Sequence, residues 1–294
     1  MKTYLAPLAG ALFVFFSLLP GVDAAEAGAV QRGAYIFHAA GCAGCHTDHQ
    51  AKGPLLGGGG PLKTPFGIFY GPNITAHPTA GIGTWSDGDF IRALRQGVAP
   101  DGSHYFPVFP FTSFAAMTKT DARDLKAYIF SLPPVARPNR PHKIKFPFGW
   151  RPLMAVWKDL FLDPPAPPDP AKGALWNRGA YLAGALGHCG ECHTPRNFLG
   201  GLSRELSMAG SRQGPDGNPV PNITPHKKVG IGGWSSQEIV DLLKSGMLPD
   251  GDFVGGAMGE VVEGTAKLND TDLKALAHYL KNLPPAPNDP FAKR

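Results

Sequence analysis

The sequence predicts an all-α chain made of two tandem domains, each of short helices joined by long loops. Three observations predict it. The chain repeats itself, at an offset that grows from 146 residues (Arg178 against Arg32) to 151 (Leu283 against Leu132), so one domain stands twice with only small insertions between the copies. Helix start and stop signals recur at matching places in both copies. Glycine and proline are abundant, 38 and 31 of 294 residues, yet 43% of the chain is hydrophobic, a composition of irregular loops around a core rather than of disorder.

Taken in order, the chain opens with Lys2, an apolar run from Leu5 to Leu19 broken by Pro7 and Gly10, then Pro20 and small residues. That is the pattern of a secretory signal. Val22-Asp23-Ala24 suits cleavage before Ala25, which makes residues 1–24 the expected signal peptide. The first domain is expected over 28–134 and the second over 173–287. Arg32-Gly33-Ala34-Tyr35 answers Arg178-Gly179-Ala180-Tyr181, Pro72-Asn73-Ile74-Thr75 answers Pro221-Asn222-Ile223-Thr224, and Gly81-Ile82-Gly83-Thr84-Trp85-Ser86 answers Gly230-Ile231-Gly232-Gly233-Trp234-Ser235.

A first helix is expected over 33–40 and 179–186, where small and apolar residues alternate. Ser235-Ser236-Gln237-Glu238 is a capping box that opens a helix with Ile239, Leu242 and Leu243 on one face and Gly246 as its stop; Ser86, Asp89 and Gly97 repeat it. The last helix of each copy begins near Thr118 or Asn269 and ends before a proline pair. First and last helices are expected to cross. Residues 135–172 form a Pro-rich connector, in which Met154, Trp157 and Phe161 allow one short apolar helix that straps the domains together.

All four cysteines fall into two copies of Cys-x-x-Cys-His, Cys42-Ala43-Gly44-Cys45-His46 and Cys189-Gly190-Glu191-Cys192-His193. This is the attachment signature of c-type haem: both thiols add to the vinyl groups as thioethers and the adjoining histidine is the proximal iron ligand. A disulfide pair, a zinc site or a thioredoxin-like pair uses the same cysteine spacing. Zinc would want a second Cys pair or His nearby, and the βαβ pattern of a thioredoxin motif is missing. Two covalently bound haem c groups are therefore expected. Such attachment takes place on the outer side of the bacterial cytoplasmic membrane, so motif and signal together predict a periplasmic protein.

The second axial ligand decides the chemistry, because a strong sixth ligand leaves electron transfer while an open site admits peroxide or oxygen. Met117 and Met258 each lie between a Pro-Asp-Gly turn and the last helix, though in different registers, and are the expected ligands. Met154 and Met208 are expected to pack, and Met247, which aligns with Val98, to be core. His38, His49, His77, His104, His142, His188, His226 and His278 are read as packing or surface residues. Trp85 and Trp234 are candidate haem-binding residues through an indole N–H to a propionate, with packing against the last helix as the alternative. The carbonyls near Pro72 and Pro221 are placed to orient His46 and His193.

A net charge of +5 without any Lys/Arg block excludes nucleic acid as a partner, and no stretch after the leader is apolar enough to span a bilayer. With these residues in view, the chain resembles the di-haem cytochrome c family related to the cytochrome subunits of bacterial quinoprotein alcohol, gluconate and sorbitol dehydrogenases. The stretches that carry the likeness are both Asn-Ile-Thr segments, both Gly-Ile-Gly-x-Trp-Ser turns, Cys189 to Asn197, and Phe109 to Phe114 leading to Met117. The resemblance implies two cytochrome c-like domains, His46 and Met117 on one iron, and His193 and Met258 on the other. It implies electron transfer from a periplasmic dehydrogenase to another cytochrome or a terminal oxidase of the respiratory chain, with no catalytic residue of its own. Related subunits commonly carry a third haem domain and a membrane association; with two haem domains, a soluble shuttle or an electron-accepting subunit is expected here. The rival is a haem enzyme such as a di-haem peroxidase, which needs one iron that can be vacated.

Overall fold

The computed structural model describes residues 24–214 and 217–292, so the leader expected over 1–24 lies, apart from its last residue, outside the described residues. In the N-terminal half, α1 (Ala24–Ala39) is followed by the single turn α2 (Cys42–His46), strands β1 (Pro61–Thr64) and β2 (Gly67–Tyr70), α3 (Asp87–Gln96), α4 (Phe111–Phe114) and α5 (Lys119–Ser131). The connector contributes β3 (Lys143–Ile144) and α6 (Leu153–Phe161). The C-terminal half has α7 (Ala174–Ala180) running into a π-helical turn (Tyr181–Leu186), α8 (Gly190–His193), α9 (Ser236–Ser245), α10 (Gly256–Thr265) and α11 (Asp270–Lys281).

Each half is organised by a crossing of its first and last helices. Helices this close need a residue without a side chain at the contact. A Cβ added to Gly33 of α1 would lie 1.9 Å from the Asp124 carbonyl oxygen of α5, and one on Gly179 of α7 would lie 2.1 Å from that of Ala275 on α11. The repeated Arg-Gly-Ala-Tyr segment therefore encodes a crossing. Its arginines hold the same contact from outside: Arg32 Nε donates to Asp124 at 2.6 Å, and Arg178 Nε to Asp272 at 2.8 Å.

The capping boxes form as the sequence predicts, Ser86 with Asp89 and Ser235 with Glu238, and Gly97 and Gly246 end α3 and α9 at φ +60° and +79°. Thr118 and Asn269 cap α5 and α11.

The all-α expectation holds only in part. An antiparallel sheet in the order β1-β2-β3 pairs Leu62 with Phe69 and Gly67 with Ile144. Its strands are four, four and two residues long, too short to show an alternating pattern, and β3 joins from the connector. The strap helix forms as expected. Met154 and Trp157 pack on Phe69, Phe106 and Phe111 of the N-terminal half, while Trp157 Nε1 donates to the Leu199 carbonyl of the C-terminal half at 2.9 Å. Buried Lys158 donates at 2.6 Å to the carbonyls of Gln96 and Gly97, completing the end of α3.

Met247 is not core. It is 39% exposed, beside Phe253 at 62%. Both halves carry the same bridge here, Val98 with His104 and Met247 with Phe253, but α6 covers only the N-terminal one.

The halves meet through reciprocal contacts. Tyr35 of α1 donates to Asp272 of α11 at 2.5 Å and accepts from the Asn269 N–H at 3.3 Å. Tyr181 donates to Asp121 of α5 and accepts from the Thr118 N–H at 3.1 Å. Each tyrosine thus completes the N-terminus of the other half's last helix.

Candidate functional site

Both Cys-x-x-Cys-His segments sit just after the first helix of their half, beyond a residue at positive φ. In the N-terminal half that residue is Gly41, at φ +58°. In the C-terminal half it is His188, at φ +39°, whose ring stacks on Phe114 and whose Nε2 lies 3.3 Å from the Ala40 carbonyl oxygen. The turn brings both thiols and the histidine to one short helix.

Each histidine is held through one ring nitrogen. Nδ1 of His46 lies 2.7 Å from the Pro72 carbonyl oxygen, and Nδ1 of His193 lies 2.7 Å from that of Pro221. Burial lowers the pKa of both rings, more than the carbonyls raise it. A neutral imidazole that donates from Nδ1 keeps the lone pair of Nε2 free for a metal.

The carbonyls are themselves fixed by the following asparagines. Asn73 Oδ1 accepts from the Thr75 N–H and hydroxyl at 3.0 and 2.7 Å, while its Nδ2 donates to the carbonyls of Val135 and Arg137 at 2.7 and 3.0 Å. Asn222 repeats this with Thr224, Ala286 and Asn288. Both asparagines are buried. The repeated Pro-Asn-Ile-Thr segment is a lock on the loop that orients the histidine.

The four thiols are unpaired. Burial pushes the thiol of Cys42 up to about 12 and those of Cys45 and Cys189 to about 11, and raises that of Cys192 as well. All four nevertheless keep accessible surface, and Cys45 counts as exposed. A group that bonds to both thiols of a motif can therefore reach them. A Cβ on Gly44 would lie 3.5 Å from the Glu260 carboxylate of α10, and Cys42 and Cys189 pack on the same apolar cluster, so both motifs border the interface of the halves.

Met117 is fully buried in the main apolar cluster, on which Cys42, Cys189 and half-buried Met258 also pack. Met208 occupies the place that Leu56 has in the other half: each has positive φ, accepts at its carbonyl from the isoleucine of the Asn-Ile-Thr segment, Ile223 or Ile74, and donates its N–H to the threonine after the histidine, Thr194 or Thr47. A leucine in the same seat marks Met208 as packing, as expected. Trp85 and Trp234 are half-buried against the main cluster, and Lys281 of α11 holds the Trp234 carbonyl at 2.5 Å. His77 and His226 each accept loop N–H groups at Nδ1.

Sequence reasoning missed Glu191. This residue inside the second motif accepts from Thr112 and Ser113 of α4 at 2.6 and 3.0 Å and pairs with Arg196. It ties one attachment motif to the segment that leads to Met117. The Cys-x-x-Cys spacing leaves the intervening residues free, so the only signal was a carboxylate where the first motif has Gly44.

The cytochrome c family model matches residues 30–133. A di-haem c-type cytochrome of Cereibacter sphaeroides is 43% identical over 268 residues, covering 90% of this chain and 89% of that protein. The cytochrome c subunit of a quinone alcohol dehydrogenase from Gluconacetobacter polyoxogenes is 40% identical, with 92% of this chain aligned to 60% of its length. A nicotinate dehydrogenase subunit of Pseudomonas putida is 41% identical, with 90% of this chain aligned to 22% of its length. Identity at this level, along nine-tenths of both chains in the first case, makes the protein a member of the di-haem cytochrome c family, related to the cytochrome c subunits of alcohol, fructose and gluconate dehydrogenases.

Proposed function

We infer that this protein is a periplasmic electron carrier with two covalently bound haem c groups, one in each of two tandem domains, 28–134 and 173–287, that passes electrons from a dehydrogenase toward the respiratory chain. The observation that carries the reading is the pair of histidines, each beside two free thiols and pinned at Nδ1 by a carbonyl at 2.7 Å. These residues fit haem c: Cys42 and Cys45, and Cys189 and Cys192, would form the thioethers, and His46 with Met117 and His193 with Met258 would ligate the irons. When bound, haem c supplies a one-electron iron couple, whose potential His/Met ligation raises relative to bis-His.

The chain's own residues do the rest. The Asn73 and Asn222 locks fix the carbonyls that hold the imidazoles in one orientation. Met117, fully buried, excludes water from its surroundings. Cys42 and Cys189 pack on one apolar cluster, which supports electron exchange between the two sites within the chain. Trp85 and Trp234 would help hold the propionates through their indole N–H groups.

The peroxidase reading has one observation in its favour. Met258 is only half-buried, on the first turn of α10 beside Gly255 and Gly256, a looser seat than that of Met117. The deciding experiment is a redox titration of the matured protein with haem counted per chain. Two low-spin haems, each with a His/Met charge-transfer band and no peroxide turnover, are expected. One high-spin haem with peroxide turnover would overturn the carrier reading.

A further inference from the structure

The connector carries an aromatic and basic loop that electron transfer between the two sites does not explain. We propose that residues 143–150, with the turn at Phe198 and Leu199 beside them, form an anchor that seats the protein on an anionic lipid surface.

Residues 145–150, Lys-Phe-Pro-Phe-Gly-Trp, are all exposed. Phe146 is 95% exposed and Trp150 62%. The loop is not loose. Phe148 stacks edge-on against Phe66 at 4.9 Å, and the Lys145 N–H donates to the Phe66 carbonyl at 2.9 Å, so the β1–β2 turn supports it. A Cβ on Gly200 would lie 3.4 Å from the Phe66 ring, which brings in Phe198, 86% exposed, and Leu199. Several large apolar side chains thus project from one rigid mount.

Three features favour lipid over protein as the occupant. The first is charge. The chain has no Asp or Glu between Asp48 and Asp87 or between Asp124 and Asp159. The three strands and this loop therefore carry Lys63, Lys143 and Lys145 with no carboxylate, a field that an anionic membrane attracts. The second is composition: exposed Phe and Trp suit either kind of face, but their lysine neighbours belong to the interfacial membrane pattern, since Lys is depleted in protein interfaces. The third is the backbone. The N–H groups of Lys145, Phe148 and Trp150 are bonded to the carbonyls of Phe66, Lys145 and Pro147, and Pro147 has none, so within the headgroup layer only those of Phe146 and Gly149 need water or headgroup oxygens. Among the described residues no helix is long and apolar enough to cross a membrane, so the attachment lies on the surface.

The test uses the full haem-loaded chain and needs no redox partner, which keeps its failure separate from that of the carrier reading. Vesicles of phosphatidylcholine, with and without phosphatidylglycerol, are sedimented and bound protein is read from haem absorbance at low and high salt. Binding to the anionic vesicles that weakens with salt is expected. The variant F146S/F148S/W150S should bind at least about tenfold more weakly. K143E/K145E should lose about fivefold per lysine at low salt, with visible spectra unchanged in both. Failure of the native protein to bind, or binding that survives both variants, overturns the proposal. So does a native protein that ignores vesicles while the aromatic variant accepts electrons from a dehydrogenase more slowly, for the face would then be a protein docking site.

Discussion

Replacing Tyr35 and Tyr181 by phenylalanine should uncouple the two halves. Tyr35 donates to Asp272 at 2.5 Å, and a hydrogen bond to a charged group contributes about 1.5–3 kcal/mol. The Asp272 side chain is only 7% exposed, but its ion pair with Arg178 remains after the change, so Tyr35→Phe falls low in that range, at about 2 kcal/mol. Tyr181→Phe removes the matching bond to Asp121 and should cost about the same. Both losses fall on the contact between halves and leave each helix crossing intact. Calorimetry of the haem-loaded protein should show each single variant melting about 5 °C lower and the double variant separating into two transitions. A double variant that keeps one transition within about 1 °C of the native protein would refute the idea that these bonds join the halves.

The same contact predicts a pH window. Burial first, and Asp272 or Asp121 next, push both tyrosines up to about 12, so their contribution is complete below pH ~10 and is lost as pH rises through the folded value. Burial raises the pKa of Asp272, but Arg178 and Tyr35 outweigh it and hold the carboxylate below its ordinary value; its share is present above pH ~4 and is lost as pH falls through the lowered value. Interface stability measured by calorimetry should accordingly be flat between about pH 7.5 and 9 and should decline below about pH 6.5, where His188, packed across the interface with its pKa lowered by burial, takes up a proton more readily in the unfolded chain. Met117→Ala and Met258→Ala should each abolish one His/Met charge-transfer band and let that haem take up carbon monoxide, while unchanged spectra would remove the residue as a ligand. Met117→Ala should also lower stability by about 3 kcal/mol through the cavity it leaves, more than Met258→Ala. Gly33→Ala and Gly179→Ala force a Cβ to 1.9 and 2.1 Å from a carbonyl oxygen and should cost at least about 3 kcal/mol; a native melting curve for either would mean the crossings are looser than described.

What was legible in the sequence was local. Ser235 and Glu238 are three residues apart, and so are Ser86 and Asp89, so their capping boxes could be read directly. The attachment motifs were legible for the same reason, and the repeated proline before each buried asparagine pointed to the carbonyls that hold His46 and His193. What escaped depends on residues far apart in the chain. Strand β3 pairs with β2 across more than seventy residues, so no pattern near Lys143 announces it. Met247 looked like core because its counterpart Val98 is apolar, but burial there is decided by α6, which lies over one half only. Asp121 and Asp272 each lie three residues after an expected helix start, Thr118 or Asn269. Their bonds to Tyr181 and Tyr35 were not legible, since Tyr35 and Asp272 are 237 residues apart, although both partners recur in the two copies.

The tyrosine contacts pair the same two surface patches in both directions: Tyr35 meets Asp272 while Tyr181 meets Asp121. Residue i on residue j and j on i is the definition of an isologous interface, the kind that relates the subunits of a symmetric dimer. The fused chain therefore contains a pseudo-dimer, and each half carries a self-complementary face. The N-terminal half produced alone would present Tyr35 beside its own Asp121 and has what it needs to pair with a second copy of itself. Covalent fusion fixes the stoichiometry of such a pair and frees the halves to diverge away from their shared face, as the strap on one side and the exposed Met247 on the other already show.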